Sequence, residues 1–204
     1  MLVARDPAHL ADAMRELGPG HDFLAMDLAK QGAADRIAET AGRIDGVLVN
    51  VGGPAPGSVL ELDDDQWRTA IDGVFMASLR LLRALAPLIE EGGSILVVLS
   101  STAKEPIQAL GASNALRPGL AMVVKDLAAS LAPRVRVNGI LPGRIATDRL
   151  RDVADGDLGE GIPMGRPGDP AEFGRVAAFL LSPAASYVTG ALVPVDGGLL
   201  RSPW

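Results

Sequence analysis

Residues Gly93–Leu150 read GSILVVLSSTAKEPIQALGASNALRPGLAMVVKDLAASLAPRVRVNGILPGRIATDRL, and this stretch decides the fold. An apolar run, Ser94–Leu99, ends in the pair Ser100-Ser101. Unbroken apolar character over that length, bounded by small polar residues, predicts a strand buried on both faces. A helix-period segment follows, with Leu116, Leu120, Val123, Val124, Leu127 and Leu131 on one face. A second apolar run, Val135–Leu141, stops at Pro142-Gly143. Strand, helix and strand in that order predict a parallel pair joined by a crossover helix.

The same alternation extends outward in both directions. Further candidate strands are Met1–Ala4, Phe23–Met26, Val47–Asn50 and Leu192–Val195, with short helices over Pro7–Leu17 and Ala33–Ala41. A longer helix follows Asp63-Asp64-Asp65. Its apolar positions Trp67, Ile71, Val74, Leu82, Leu85 and Ile89 keep helical spacing, and Gly92-Gly93 is expected to stop it. The three aspartates fit either a metal cluster or the first turn of that helix, where carboxylates complement the dipole; the second reading is favoured. A third long helix opens at Asp169-Pro170-Ala171-Glu172 and runs to about Leu181. Asp169 is placed as N-cap, Pro170 in the first turn, and Glu172 within reach of the cap. Between Thr147 and Pro167 the chain is polar and Gly-rich, with Asp152, Asp155, Gly156, Asp157, Gly159 and Gly161. Alternation resumes after it, so residues 147–167 are expected to form a flap over a site, within one domain spanning 1–204.

Composition removes several function classes. There is no cysteine, which excludes disulfides, thiolate catalysis and thiolate metal sites. Neither His9 nor His21 has ligand-like neighbours at metal spacing. A net charge of −6 without any basic block argues against nucleic acid and anionic membrane as partners, and 3% aromatic content leaves few stacking platforms. No apolar run reaches the roughly 18–20 residues of a bilayer span. The first residues lack the charged flank of a signal peptide, so a cytoplasmic location is expected.

In an open parallel sheet, ligands sit beyond the carboxyl ends of the strands. The segments there are Asn50-Val51-Gly52-Gly53, Ser100-Ser101, Pro142-Gly143-Arg144-Ile145-Ala146-Thr147 and Val193-Pro194-Val195-Asp196-Gly197-Gly198. Glycines at such ends let backbone approach a ligand closely. In this order the four segments resemble the short-chain dehydrogenase/reductase family, and in particular its 3-oxoacyl-carrier-protein-reductase-like members.

That resemblance implies a Rossmann-like, doubly wound parallel sheet and an NAD(P)-dependent oxidoreductase ancestry, acting on a carbonyl or hydroxyl substrate. It implies that Asn50, Gly52 and Gly53 border the adenosine half of the dinucleotide, with Asp27 at the adenine edge. Pro142, Gly143, Ile145 and Thr147 would hold the nicotinamide carboxamide and pyrophosphate. Arg5 follows the first strand, and Ala4 stands where an NAD-reading acid would be, so NADP is the expected cofactor; a solvated arginine capping a turn is the other reading of Arg5. A homodimer or homotetramer built on two long helices is implied as well.

The catalytic set departs from the family pattern. Ser101 stands at the serine position. The tyrosine, lysine and asparagine positions are read as Leu110, Asn114 and Val74. Leu110 offers no proton, and the usual donor is therefore missing. The run Ser113-Asn114-Ala115-Leu116-Arg117 resembles a divergent branch of the family that lacks the Tyr-x-x-x-Lys pair. Pro118 is expected to kink the helix, or delay its start, between Ser113 and Pro118. A non-catalytic scaffold, regulatory or ligand-sensing homologue acting through oligomer contacts is the alternative function.

The family's opening strand, Gly-x-x-x-Gly-x-Gly turn and helix have no counterpart, and Met1-Leu2-Val3-Ala4 aligns with its second strand. This unit of about 30–40 residues carries a central strand. Two outcomes are open: a shortened version of a longer protein, or closure of Met1–Ala4 against Val47–Asn50. Closure predicts backbone hydrogen bonds between those two strands.

Overall fold

A computed structural model of the chain describes residues 1–148, 150 and 157–202. Strands β3 (Ile44–Val49), β4 (Ile89–Val98), β5 (Arg136–Pro142) and β6 (Leu192–Val195) form a four-stranded parallel sheet in that order. Alternation along β4 assigns its side chains to two faces, as the period of a strand requires. Ile95, Val97 and Leu99 pack with Leu82, Leu120 and Val124 on one side, while Leu96 and Val98 meet Ala177 and Leu180 on the other. Helices α4 (Ala77–Leu85) and α5 (Gly111–Leu131) thus cover the first face, and α6 (Pro170–Leu181) covers the second. This is the doubly wound α/β arrangement.

Helices α1 (Pro7–Leu17) and α2 (Ala33–Ala41) fall where the sequence placed them. Asp6 caps α1 by accepting the Ala8 N–H at 2.8 Å. Asp63 caps α3 (Asp64–Ala70) in a full capping box with Gln66, so the three aspartates serve a helix start. Asp64 and Asp65 both reach Arg68.

The long helix after Asp63 is not continuous. A π-helical turn, Ile71–Met76, separates α3 from α4, and the helix ends at Leu85. Pro87 lies in the short 3-10 turn Ala86–Leu88, where its ring blocks helical continuation. Ile89 consequently begins β4 instead of lining the helix. Gly92-Gly93 does not stop a helix but permits a bulge: pairing shifts register between Ile44–Ile89 and Gly46–Ser94. A Cβ on Gly93 would lie 2.4 Å from the Asp45 carbonyl oxygen, so only glycine fits there.

The delayed start expected for α5 is absent. The helix is continuous from Gly111, with Pro118 inside it, and the Asn114 N–H bonds the Leu110 carbonyl at 2.8 Å. Burial of Leu120, Ala121, Val124 and Ala128 outweighs a proline cost of about 3 kcal/mol.

Of the two outcomes left open, closure of Met1–Ala4 against Val47–Asn50 is overturned. β1 (Leu2–Ala4) pairs in parallel with β2 (Phe23–Ala25), and among the described residues no backbone pairing joins β1 to β3. The two-stranded unit is docked by side chains. Val3, Leu24, Met26 and Leu28 pack against the core that contains Ala34, Ile37 and Leu81. Arg80 of α4 donates to the Ala29 carbonyl at 3.4 Å and to Asp72 at 3.0 Å. Side-chain packing has fixed β1 short of β3. Leu2 and Leu48, one on each of these strands, stay 37% and 43% exposed.

Candidate active site

Because β3 to β6 run parallel, their carboxyl ends share one edge, and most candidate residues fall on it. Past β3, Val51 is buried and anchors the segment, while Asn50, Gly52 and Gly53 are exposed. A Cβ on Gly52 would meet nothing within 4 Å, so open space faces it. Past β4, the Ser100 hydroxyl accepts the Thr102 N–H at 3.2 Å and opens a 3-10 turn over Ser101–Ala103. That turn buries Ser101 and Thr102.

Past β5, Pro142 and Gly143 lead into the site loop. A Cβ on Gly143 would stand 2.6 Å from Asp196 Cα, so this glycine answers to the neighbouring strand end. Ile145 pairs with Gly168 and lines a cavity of about 100 Å³ together with Met164, Arg166, Glu172 and Asp196. Thr147 is exposed, with its N–H bonded to the Ile145 carbonyl at 2.7 Å. Arg144 donates to the carbonyls of Leu158 and Glu160 at 3.2 and 2.7 Å, tying the far limb of the expected flap to this loop. Asp152, Asp155 and Gly156 of that flap lie outside the described residues.

Arg5 follows β1 and Asp27 lies two residues past β2, so both stand at the end of the separate two-stranded sheet. Arg5 is exposed, and the Asp27 carboxylate accepts the Ala29 N–H at 3.0 Å in a local turn.

The residues read as the family's tyrosine and lysine positions, Leu110 and Asn114, lie at the start of α5. Leu110 immediately precedes α5, held by a backbone bridge to Gly57. Asn114 turns its amide to the loop, donating to the Ile107 carbonyl at 2.8 Å and accepting the Ile107 N–H at 3.0 Å. Both polar ends of that side chain are thereby occupied. The buried polar positions on this helix are Ser113 and Arg117. Ser113 Oγ lies 2.8 Å from Thr102 Oγ1, and Arg117 Nη1 donates to the Val98 carbonyl at 2.9 Å. Their four-residue spacing within Ser113-Asn114-Ala115-Leu116-Arg117 was the available signal, since i and i+4 share a helix face. Val74 is buried in the π turn, and Tyr187 is fully exposed.

Two further features brace this edge. Arg166 forms a two-pronged ion pair with Glu172, at 2.8 Å on each arm. Hydrogen bonding from Arg166, then the Asp169 backbone N–H, pushes the Glu172 carboxyl down to about 2. Glu105 accepts backbone N–H groups of Arg201 and Ser202, pinning the C-terminal segment to the loop after β4. Among the described residues no three His, Cys, Asp or Glu side chains gather as a metal site. No described helix is long and apolar enough to cross a membrane.

A family model described as enoyl-(acyl carrier protein) reductase matches residues 2–200. The chain is 35% identical to galactitol 2-dehydrogenase (L-tagatose-forming) of Cereibacter sphaeroides, over 97% of this chain and 84% of that one. A Brucella melitensis structure described as a short-chain dehydrogenase/reductase, glucose/ribitol dehydrogenase, superposes with a TM-score of 0.93 at 27% identity; the match covers 98% of this chain and 86% of the other. The NADPH-bound short chain oxidoreductase of Pseudomonas aeruginosa PAO1, described as containing an atypical catalytic center, superposes with a TM-score of 0.86 at 30% identity, covering 98% and 86%.

Proposed function

Since the chain belongs to the short-chain dehydrogenase/reductase family of oxidoreductases, we propose that it is an NADP-dependent oxidoreductase acting on the carbonyl or hydroxyl group of a small molecule. The observation that carries this reading is the single edge at which Asn50, Ser101 and the Pro142–Thr147 loop end adjacent parallel strands. Ligands of open α/β sheets bind at such edges. The NADPH-bound neighbour in solved structures supports the choice of cofactor class.

The residues suit parts of that cofactor. Open space at Gly52 and the polar groups of Asn50, Ser101 and Thr147 suit a ribose and a carboxamide. No Gly-x-x-x-Gly-x-Gly run occurs in the sequence to cradle the pyrophosphate. When bound, the dinucleotide would supply hydride. The chain's own part is to orient a carbonyl at the Ser101 turn and to exclude water from it.

Titration with NADPH, followed by nicotinamide fluorescence, tests the reading. Saturable binding below millimolar concentration is expected; no binding at millimolar cofactor would overturn it. A second reading, a non-catalytic homologue working through oligomer contacts, draws on a groove of about 470 Å³ between α4 and α5. Leu79, Leu82, Val123, Leu127 and Leu131 line it, and burial of those side chains against a second copy is what that reading requires.

A further inference from the structure

Two polar side chains on the inner face of α5 have so far been given no task. Ser113 is 7% exposed and Arg117, one turn later, 5%. A buried guanidinium is tolerated where it is paired and hydrogen-bonded. Arg117 is held at the carboxyl end of β4, because Nη1 donates to the carbonyl of Val98, the last residue of that strand. This is the same edge where Ser100-Ser101 and Asn50 end their strands.

The hydroxyls of Ser113 and Thr102, at 2.8 Å, share one hydrogen between them. Whichever donates, the acceptor keeps its own O–H for a third oxygen. A hydroxyl pair with a hydrogen to give, one helical turn from a buried cation and at the ligand edge of the sheet, has the composition of an oxyanion site.

We propose that Ser113, backed by Thr102, and Arg117 form that site. Ser113 donates to the oxygen of a ketone or aldehyde, and Arg117 holds positive charge near that oxygen as negative charge develops on it. This rests on the oxidoreductase reading above. In the reductive direction the carbonyl carbon gains hydride from a reduced nicotinamide dinucleotide. The π electron pair moves to oxygen, and a proton passes to it from Ser113 Oγ. Ser113 is reprotonated by Thr102 across their 2.8 Å contact, and the hydroxyl pair regains the proton from water that enters as the product leaves. A nearby guanidinium lowers the cost of a transient serine alkoxide. Arg117 meets no reacting atom and is a positioning residue that acts through its charge.

Ser113→Ala, Ser113→Thr, Arg117→Met and Arg117→Lys in the full chain test the assignment. Each is assayed for NADPH binding by fluorescence, for NADPH consumption with acetoacetyl thioester and a panel of simple ketones, and for thermal melting. Ser113→Ala is expected to lower kcat about 100-fold while KM and NADPH affinity stay within about threefold, and Ser113→Thr to recover most of the rate. Arg117→Met is expected to lower kcat by a similar factor, and Arg117→Lys to restore at least about a tenth of it. Full kcat in Ser113→Ala overturns the proposal, as does an Arg117→Met protein that melts earlier but turns over normally. If Arg117→Met does not fold, the two serine variants decide. A wild-type chain that binds NADPH and reduces none of the carbonyls overturns this site alone, whereas one that binds no NADPH overturns the oxidoreductase reading itself.

Discussion

At the scale of single residues, the charged side chains of this protein act mostly as clasps for backbone. Arg136 is buried and donates to the carbonyls of Leu180, Leu181, Ser182 and Val188, closing the end of α6. It satisfies acceptors that a helix terminus leaves open. Glu172 does the equivalent work at the start of the same helix, accepting the Asp169 N–H at 2.8 Å while paired with Arg166. Its carboxyl is held at about 2, below the ordinary glutamate value of roughly 4.3. A depressed carboxyl stabilises the folded chain fully above about pH 4.5, and the contribution is lost as pH falls toward 2. Glu172→Gln should therefore melt below wild type at pH 7, with the two melting points converging by pH 2. Thermal melts stepped from pH 7 to pH 2 check this; a constant gap would contradict it. The capping role of Glu172 was legible because all its partners lie within a few residues. The role of Arg136 was not, since the carbonyls it closes lie more than 40 residues away.

At the scale of elements, local signals named the helices better than they bounded them. Pro7–Leu17 and Ala33–Ala41 match to the residue, and Asp169 caps α6 as its sequence implied. Where tertiary packing competes with periodicity, the reading failed. Apolar spacing carried the long helix through to Ile89, yet Ile89 pairs with Ile44 as a strand residue. Pro118 shows the opposite outcome, a breaker overridden by the buried face of the helix that contains it. Pro118→Ala should allow a new N–H to bond the Asn114 carbonyl. We expect a gain of about 2 kcal/mol, the helix-interior proline cost less the added freedom of the unfolded chain, read by denaturant titration. Site residues at strand ends were legible from motifs in sequence order. The Thr102–Ser113 and Val98–Arg117 contacts were not, because they depend on how α5 rolls onto β4.

At the scale of the whole molecule, the dominant fact is that the described strands form two sheets and not one. A continuous parallel sheet couples its strands through shared backbone hydrogen bonds, whereas β1 and β2 are tied to the remainder by side chains and by Arg80. Amides of Leu2–Ala4 and Phe23–Ala25 should thus exchange with solvent through a cheaper, sub-global opening than those of Ile95–Val98 and Val137–Ile140. Native-state hydrogen exchange across a low-denaturant series reads the two opening energies separately; coincident isotherms would contradict the division. The break between β1 and β3 also bears on cooperativity. Two hydrogen-bonded networks that, among the described residues, meet through side chains need not melt together, so a single midpoint would be a composite of two. Scanning calorimetry should then give a calorimetric enthalpy larger than the van't Hoff enthalpy, with the first units of heat spent on releasing the β1–β2 pair.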